Sequence, residues 1–132
     1  MTLVVDSSVV LAALLSEGAD GAWAESLLAS EVLVAPHQLH AEVAGVLRRR
    51  TLAGEITDVT GSAAHAALLA MSFDLYSYEA YAPRIWQLRH TVTIKDAWYV
   101  AIAESLGVSL ATLDLRLTRA PGPRCEFLTP PP

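Results

Sequence analysis

Cysteine is nearly absent. Cys125 is the only one in 132 residues. A lone thiol excludes an internal disulfide and any zinc site built from several cysteines, and it fits a reduced, cytoplasmic setting. Long apolar runs are also missing. Val9 to Leu15 is as long as any, far short of the ~18–20 residues a spanning helix needs. The mean hydropathy of +0.39 therefore points to a large core and not to a membrane segment. No basic stretch followed by an apolar run and a cleavage site opens the chain, so no secretory leader is expected. Positive charge is scarce: 9 Lys and Arg stand against 14 Asp and Glu, a net charge of −5. That balance argues against a simple nucleic-acid coat, which is normally basic. It does not argue against a nuclease, because a metal site concentrates carboxylates and the ions supply the positive charge. Charged residues make up only 17% and hydrophobic ones 53%, the opposite of a disordered composition. The length suits one domain, residues 1–132, with Pro130–Pro132 expected to fray.

Short apolar runs alternate with helical patterns. Thr2–Val5 reads as a strand ending at Asp6, and Ser7–Leu15 as a helix apolar on every side. Glu17–Gly21 reads as a turn before a helix carrying Trp23, Leu27 and Leu28. Val32–Ala35 is a second buried strand closed by Pro36. In the helix His37–Ala53, Leu39, Val43, Val46 and Leu47 make an apolar stripe, and Gly54 stops it. Thr57 or Asp58 caps an Ala-rich helix. Asp74–Tyr78 is a weak strand, and Glu79–His90 is helical with Pro83 in its first turn. Asp96 opens a helix that Gly107 ends. Val108–Ala111 is a strong strand, Asp114–Arg119 a helical turn or two, and Cys125–Leu128 a last strand. Alternation of this kind predicts an α/β fold of three layers, α/β/α, around a mainly parallel sheet of four to five strands.

In such sheets, sites form at the carboxyl ends of strands. Asp6 follows the first strand directly, and Asp114 follows Val108–Ala111 with Thr112 between. Asp96 stands at a helix start, where the dipole favours an anion. Taken singly, each aspartate reads first as a helix cap. Glu42 is different. On a helical wheel it lies about 60° from Leu39 and about 40° from Val46, at the edge of the stripe and turned toward the domain. Glu is rarely buried without a partner, so it needs Arg49 or a metal. An i, i+7 pair with Arg49 exceeds the usual helical salt bridge. Carboxylates converging on one rim repel unless a divalent cation sits among them, and hard oxygen donors without cysteine favour Mg²⁺ or Mn²⁺. His37 and His40 are spaced i, i+3, but His40 lies about 200° from Glu42 on the wheel, so the three cannot ligate together and a histidine zinc site is not expected. The chain also lacks G-x-G-x-x-G, D-x-D and an acidic pair after its first strand. These absences exclude a dinucleotide binder, a haloacid-dehalogenase-type phosphatase and a response receiver.

The segments VVDSSVVLAALL, APHQLHAEVAGVLRRR and TIKDAWYVAIAESLGVSLATLDLRL resemble those of PIN-domain ribonucleases, and more narrowly the VapC-type toxins of bacterial toxin–antitoxin pairs. The resemblance runs from Thr2 to about Leu128. It implies that Asp6, Glu42, Asp96 and Asp114 are both metal-binding and catalytic, with Ser8 and Thr112 supporting them. It also implies an endoribonuclease dependent on Mg²⁺ or Mn²⁺, in which metal-activated water leaves a 3′-hydroxyl and a 5′-phosphate. The partners implied are RNA, a VapB-type antitoxin and a second copy of the chain in a homodimer, with no membrane. A non-catalytic RNA- or protein-binding module of the same fold is the alternative. Lys95 departs from the pattern, since a small or aromatic residue is expected before Asp96. It contacts carboxylates, RNA phosphate or solvent, and its charge bears on whether one ion or two are held.

Eight of the nine basic residues are Arg, which suits bidentate phosphate contacts. Arg49 shares an edge with Glu42, and Arg116 lies two residues past Asp114. Both are candidates for RNA phosphate, with Lys95, although a solvated surface accounts for each equally well. Trp23, Trp86 and Trp98 read as core anchors, with Trp23 and Leu27 also candidates for a partner groove.

Overall fold

The structure is a computed structural model that describes residues 1–15 and 17–132. In chain order it comprises β1 (Thr2–Val5), α1 (Ser7–Leu15), α2 (Gly18–Ser30), β2 (Val32–Pro36), α3 (Leu39–Leu52), α4 (Asp58–Ala70) and β3 (Asp74–Tyr76). There follow a 3₁₀ turn (Glu79–Tyr81), α5 (Ala82–Gln87), α6 (Ile94–Leu106), β4 (Leu110–Ala111), α7 (Leu115–Arg119) and β5 (Phe127–Leu128). The five strands form one parallel sheet in the order β3-β2-β1-β4-β5.

That order decides where a site can form. The chain moves outward from β1 through β2 to β3, then returns past β1 to β4 and β5. Right-handed crossovers place the connecting helices on one face during the first movement and on the other after the reversal. The helices α1 to α4 accordingly pack on one another, while α6 packs against β1, β2, β4 and α5. The reversal puts a switch point between β1 and β4, where Val4 pairs with Leu110 and Val5 with Ala111. A crevice at the carboxyl ends of these two strands is the expected ligand position.

Burial explains why β1 is apolar from Leu3 to Val5. Alternate side chains of a strand point to opposite faces, yet Leu3, Val4 and Val5 are all fully buried. Both faces must therefore be covered. The core continues through Val9, Val10, Leu33, Val34, Leu39, Val43, Leu68, Ile85, Val100, Ile102 and Leu110. Among the described residues no helix is long and apolar enough to cross a membrane.

Several boundaries differ from expectation. The helix α2 begins at Gly18, within the stretch read as a turn. The segment expected as one helix from Glu79 to His90 divides into the 3₁₀ turn and the six-residue α5, which carries Pro83 at its start. β4 has two residues, not four. The cause is the end of α6: Gly107 takes a left-handed conformation with φ of 66°, and the Val108 N–H turns back to the Ala103 carbonyl at 3.1 Å. Val108 is thereby withdrawn from the sheet, although Ser109 still accepts from the Val4 N–H at 3.0 Å. β5 likewise shrinks to Phe127–Leu128. Trp23 and Trp98 pack against the core as expected, but Trp86 does not. It is 58% exposed on the short α5, with the Arg89 guanidinium 4.6 Å from its ring centre.

Replacing Ile102, fully buried on α6, by Ala is expected to cost about 2–5 kcal/mol. Val59→Ala, on a side chain 80% exposed, should change stability by no more than about 0.5 kcal/mol. Urea denaturation followed by circular dichroism checks both values, and equal losses would contradict the assigned core.

Candidate active site

Asp6 sits where β1 becomes α1, and its carboxylate occupies the N-cap position of that helix. One oxygen, Oδ1, accepts from the Ser8 N–H at 3.0 Å, the Val9 N–H at 3.4 Å and the Ser8 hydroxyl. The other, Oδ2, accepts from the Thr112 hydroxyl beyond β4. Both hydroxyls also act as acceptors: Ser8 Oγ takes the Leu113 N–H at 3.1 Å and Thr112 Oγ1 the Asp114 N–H at 3.0 Å. The capping role and the role at the rim therefore coincide in one carboxylate. Ser8 and Thr112, expected to support Asp6, are its direct partners.

Asp6 is only 6% exposed. Burial pushes its carboxyl up to about 6 from an ordinary 3.8, against the pull of the Ser8, Thr112 and Val9 hydrogen bonds, and the charge of Asp96 adds to the rise. Asp96 belongs to the same electrostatic group. Burial raises it, the Asp114 charge raises it further, and Thr93 and Lys95 pull it down. Asp96 does not open its helix, however. Thr93 is the N-cap and accepts from the Asp96 N–H at 3.2 Å, so Asp96 stands in the first turn, after Ile94 and Lys95. Asp114 caps α7, its Oδ1 taking the N–H groups of Arg116 at 2.9 Å and Leu117 at 3.3 Å.

Glu42 is half-buried on the first turn of α3, turned inward as its wheel position predicts. Its partners are two hydroxyls and not Arg49. Tyr99 donates to Oε1 at 3.0 Å and Ser7 to Oε2 at 3.4 Å. Burial raises its carboxyl, with Tyr99, Lys95 and Ser7 opposing and Asp96 adding to the rise. Arg49 is exposed, its guanidinium lying over Gly45. Lys95 and Arg116 are exposed as well, with the Lys95 carbonyl accepting from Gln38 Nε2 at 3.3 Å.

The four acids thus belong to one electrostatic neighbourhood at the switch point. Among the described residues no three His, Cys, Asp or Glu side chains form a cluster that could hold a metal ion. Mg²⁺ does not require one, because it keeps several waters and is commonly bound through one or two carboxylates. An all-oxygen set of mutually repelling, partly desolvated carboxylates fits such an ion in chemistry. A cavity of about 720 Å³ lies elsewhere, beside Gly107–Ser109 and Cys125–Glu126, which lead into β4 and β5. It is at the amino ends of the strands, and its Arg84 and Glu104 are engaged with each other.

Sequence reasoning missed Tyr99 and Ser7. Each lies inside a segment singled out for its acidic residue, one turn after Asp96 and immediately after Asp6. A tyrosine in an otherwise apolar helix was the available signal, since a buried phenol requires a hydrogen-bond partner.

The PIN-domain family model matches residues 3–123. Ribonuclease VapC1 of Mycobacterium tuberculosis is 43% identical over 128 residues, covering 94% of each chain. Ribonuclease VapC9 of the same organism is 35% identical over 129 residues, covering 98% of each. Among solved structures, Mycobacterium tuberculosis VapC20, described as a sarcin-ricin loop cleaving toxin, matches with a TM-score of 0.67 at 21% identity, over 89% of this chain and 93% of that one. VapBC2 from Rickettsia felis, bound to a promoter DNA fragment, matches with a TM-score of 0.69 at 12% identity, over 98% of each. These two structures share the fold, and the sequence relatives place the protein more closely: the chain belongs to the PIN-domain family, in its VapC branch.

Proposed function

We propose that the protein is a Mg²⁺- or Mn²⁺-dependent endoribonuclease, the toxin of a toxin–antitoxin pair. The observation that carries this reading is Asp6: a carboxylate buried at the β1–β4 switch point, fully hydrogen-bonded, with Asp96 adding to its charge burden. A buried charge group of this kind calls for a cation. Bound there, a divalent ion supplies positive charge against a phosphodiester and activates water at neutral pH.

The residues divide the remaining work. Asp6 is held rigid by Ser8 and Thr112 and fixes the bottom of the site. Asp114 commits Oδ1 to α7 and keeps Oδ2 for the ion or its waters. Asp96 and Glu42 face the same group from α6 and α3, and all four acids serve as ligands or orient attacking water. Exposed Lys95, Arg49 and Arg116 are assigned to RNA phosphate, since Arg forms bidentate phosphate contacts and Lys a point-charge contact. The VapC branch supports a VapB-type antitoxin as partner and a homodimer as the assembly. Exposed Leu52, Val59 and Leu69 on α3 and α4 give apolar surface suited to a protein partner. The same reading places the protein in the cytoplasm. The open spacing of the acids favours one competing reading, a weak or inactive module of the same fold. Calorimetry with Mn²⁺ separates the two, and absence of binding at millimolar metal would support the module.

Asp6→Asn is expected to reduce RNA cleavage to the level of EDTA-treated protein while the fold survives. Asn retains an acceptor toward Ser8 and presents an amide that the Thr112 hydroxyl can accept. Gel assays on total RNA, with thermal melts alongside, check this outcome, and full activity would defeat the assignment.

Stability should depend on pH in a metal-sensitive way. The folded pKa of Asp6, about 6, exceeds its ordinary 3.8. The folded chain therefore retains a proton that the unfolded chain has released between those values. Stability is highest below about pH 4 for this group and falls as pH rises through 6. The raised Glu42 and Asp96 act in the same direction. Melting temperature in EDTA should fall between about pH 4 and 6 and level off above, Mg²⁺ should remove most of that slope, and Asp6→Asn should reduce it without metal.

Arg116→Ala should weaken RNA binding and reduce the slope of log affinity against log salt by about 0.7–0.9 if one phosphate contact is lost. Fluorescence anisotropy of RNA on the Asp6→Asn protein measures this. An unchanged slope would assign Arg116 to solvent.

A further inference from the structure

Helix α3 reaches α6 through two polar rungs. Gln38, the N-cap of α3, donates to the Lys95 carbonyl at 3.3 Å, and four residues further along each helix Tyr99 donates to Glu42 at 3.0 Å. Spacing of i, i+4 puts Gln38 and Glu42 on one face of their helix and Lys95 and Tyr99 on one face of theirs. The rungs therefore set the register of α3 on α6. The second does so at a side chain of the site, because Asp96 precedes Tyr99 by three residues, on the same side of α6.

Tyr99 is 1% exposed, and burial beside Glu42 keeps it a phenol, so it acts as donor in this bond. A Phe would fill the same space without a polar atom to satisfy. The other Glu42 oxygen takes the hydroxyl of Ser7, the residue next to Asp6. Glu42 is thus tied to the two elements that carry Asp6 and Asp96, while having no ion pair with Arg49. Outer hydrogen bonds of this sort orient metal-ligating carboxylates, and their loss typically costs 10–100-fold in metal affinity or activity.

We propose that Tyr99 is a positioning residue for the phosphodiester reaction, its hydroxyl fixing the Glu42 carboxylate relative to Asp96 and Asp6. This rests on the reading of the four acids as a metal-dependent nuclease site. The Ser7 bond, at 3.4 Å, is the longer of the two, so Tyr99 bears most of the orientation.

The test uses the full chain with Tyr99→Phe, Glu42→Gln, both together, and Asp6→Asn. Tyr99→Phe should bind Mn²⁺ about tenfold more weakly by calorimetry and lower kcat by a similar factor, with KM for RNA unchanged. In the Glu42→Gln background Tyr99→Phe should have no further effect, which is the signature of a residue acting through another. Wild-type Mn²⁺ affinity and kcat in a folded Tyr99→Phe protein would overturn the proposal, and so would an equal decrement with or without Glu42. If Tyr99→Phe does not fold, the wild-type protein supplies the measurement. Mg²⁺ should produce a tyrosine band in the ultraviolet difference spectrum that Glu42→Gln lacks, and a wild-type spectrum without that band would overturn the proposal. Asp6→Asn keeps the two ideas apart. Cleavage by Asp6→Asn would remove the nuclease reading itself, whereas an inert Asp6→Asn beside an unaltered Tyr99→Phe would remove only the role of Tyr99.

Discussion

A carboxylate buried at the end of a parallel strand must be surrounded by donors or lose its charge. Asp6 meets that condition with donors from two chain segments more than 100 residues apart: Ser8 and Val9 in α1, and Thr112 beyond β4. The same hydroxyls accept the N–H groups of Leu113 and Asp114, so the backbone leaving β4 is oriented by the residue that ends β1. The placement of Asp114 follows from this constraint. With Thr112 held by Asp6, the chain turns so that Asp114 caps α7 at the same rim. One charged group thus couples the pairing of β1 with β4, the start of α1 and the start of α7.

Sheet order supplies the other half of the arrangement. Because the chain reverses between β3 and β4, α3 and α6 lie on opposite sides of the crevice and deliver Glu42 and Asp96 toward Asp6 from separate elements. The net charge of −5 is poor guidance to such a site, since it averages exposed acids such as Asp58 and Glu55 with the four at the rim. What matters locally is that burial and mutual repulsion raise Asp6, Glu42 and Asp96 together. Lys95 opposes that rise for Glu42 and Asp96 through its charge alone.

The strands β1 and β2 were legible because strands covered on both faces are apolar throughout, a pattern that survives without any contact information. Asp6 and Glu42 were legible for related reasons: one ends such a strand and the other interrupts an apolar stripe. The short β4 was not. Val108 is β-branched and strand-like, yet its N–H closes α6 across Gly107, and only three-dimensional hydrogen bonding decides between those uses. Asp96 was displaced from the expected cap for a similar reason, since Thr93 offers a cap three residues before it. Trp86 misled because it lies in a stretch that reads as one helix from Glu79 to His90, whereas the six-residue α5 has only enough turns to bury Ile85. Tyr99 was hidden by its partner, which lies 57 positions away.

The helix α6 accounts for how a rim of like charges can be held still. Its first turn is capped by Thr93, its middle is tied to Glu42 by Tyr99, and its last turns carry Glu104. That carboxylate takes Arg84 through two contacts at 2.7 and 3.0 Å and the Arg124 N–H at 2.7 Å. Arg84 in turn reaches the Gly122 carbonyl at 2.8 Å. These bonds attach α6 to α5 and to the segment entering β5, at the end of the sheet away from the carboxylates. Repulsion at the rim tends to spread Asp6, Asp96 and Asp114 apart. A helix free to slide would relieve that repulsion by carrying Asp96 outward. Fixed at its far end by a charge-assisted, half-buried network and packed along β1, β2 and β4, α6 resists that movement, and the repulsion shows instead in the raised carboxyls of Asp6, Glu42 and Asp96.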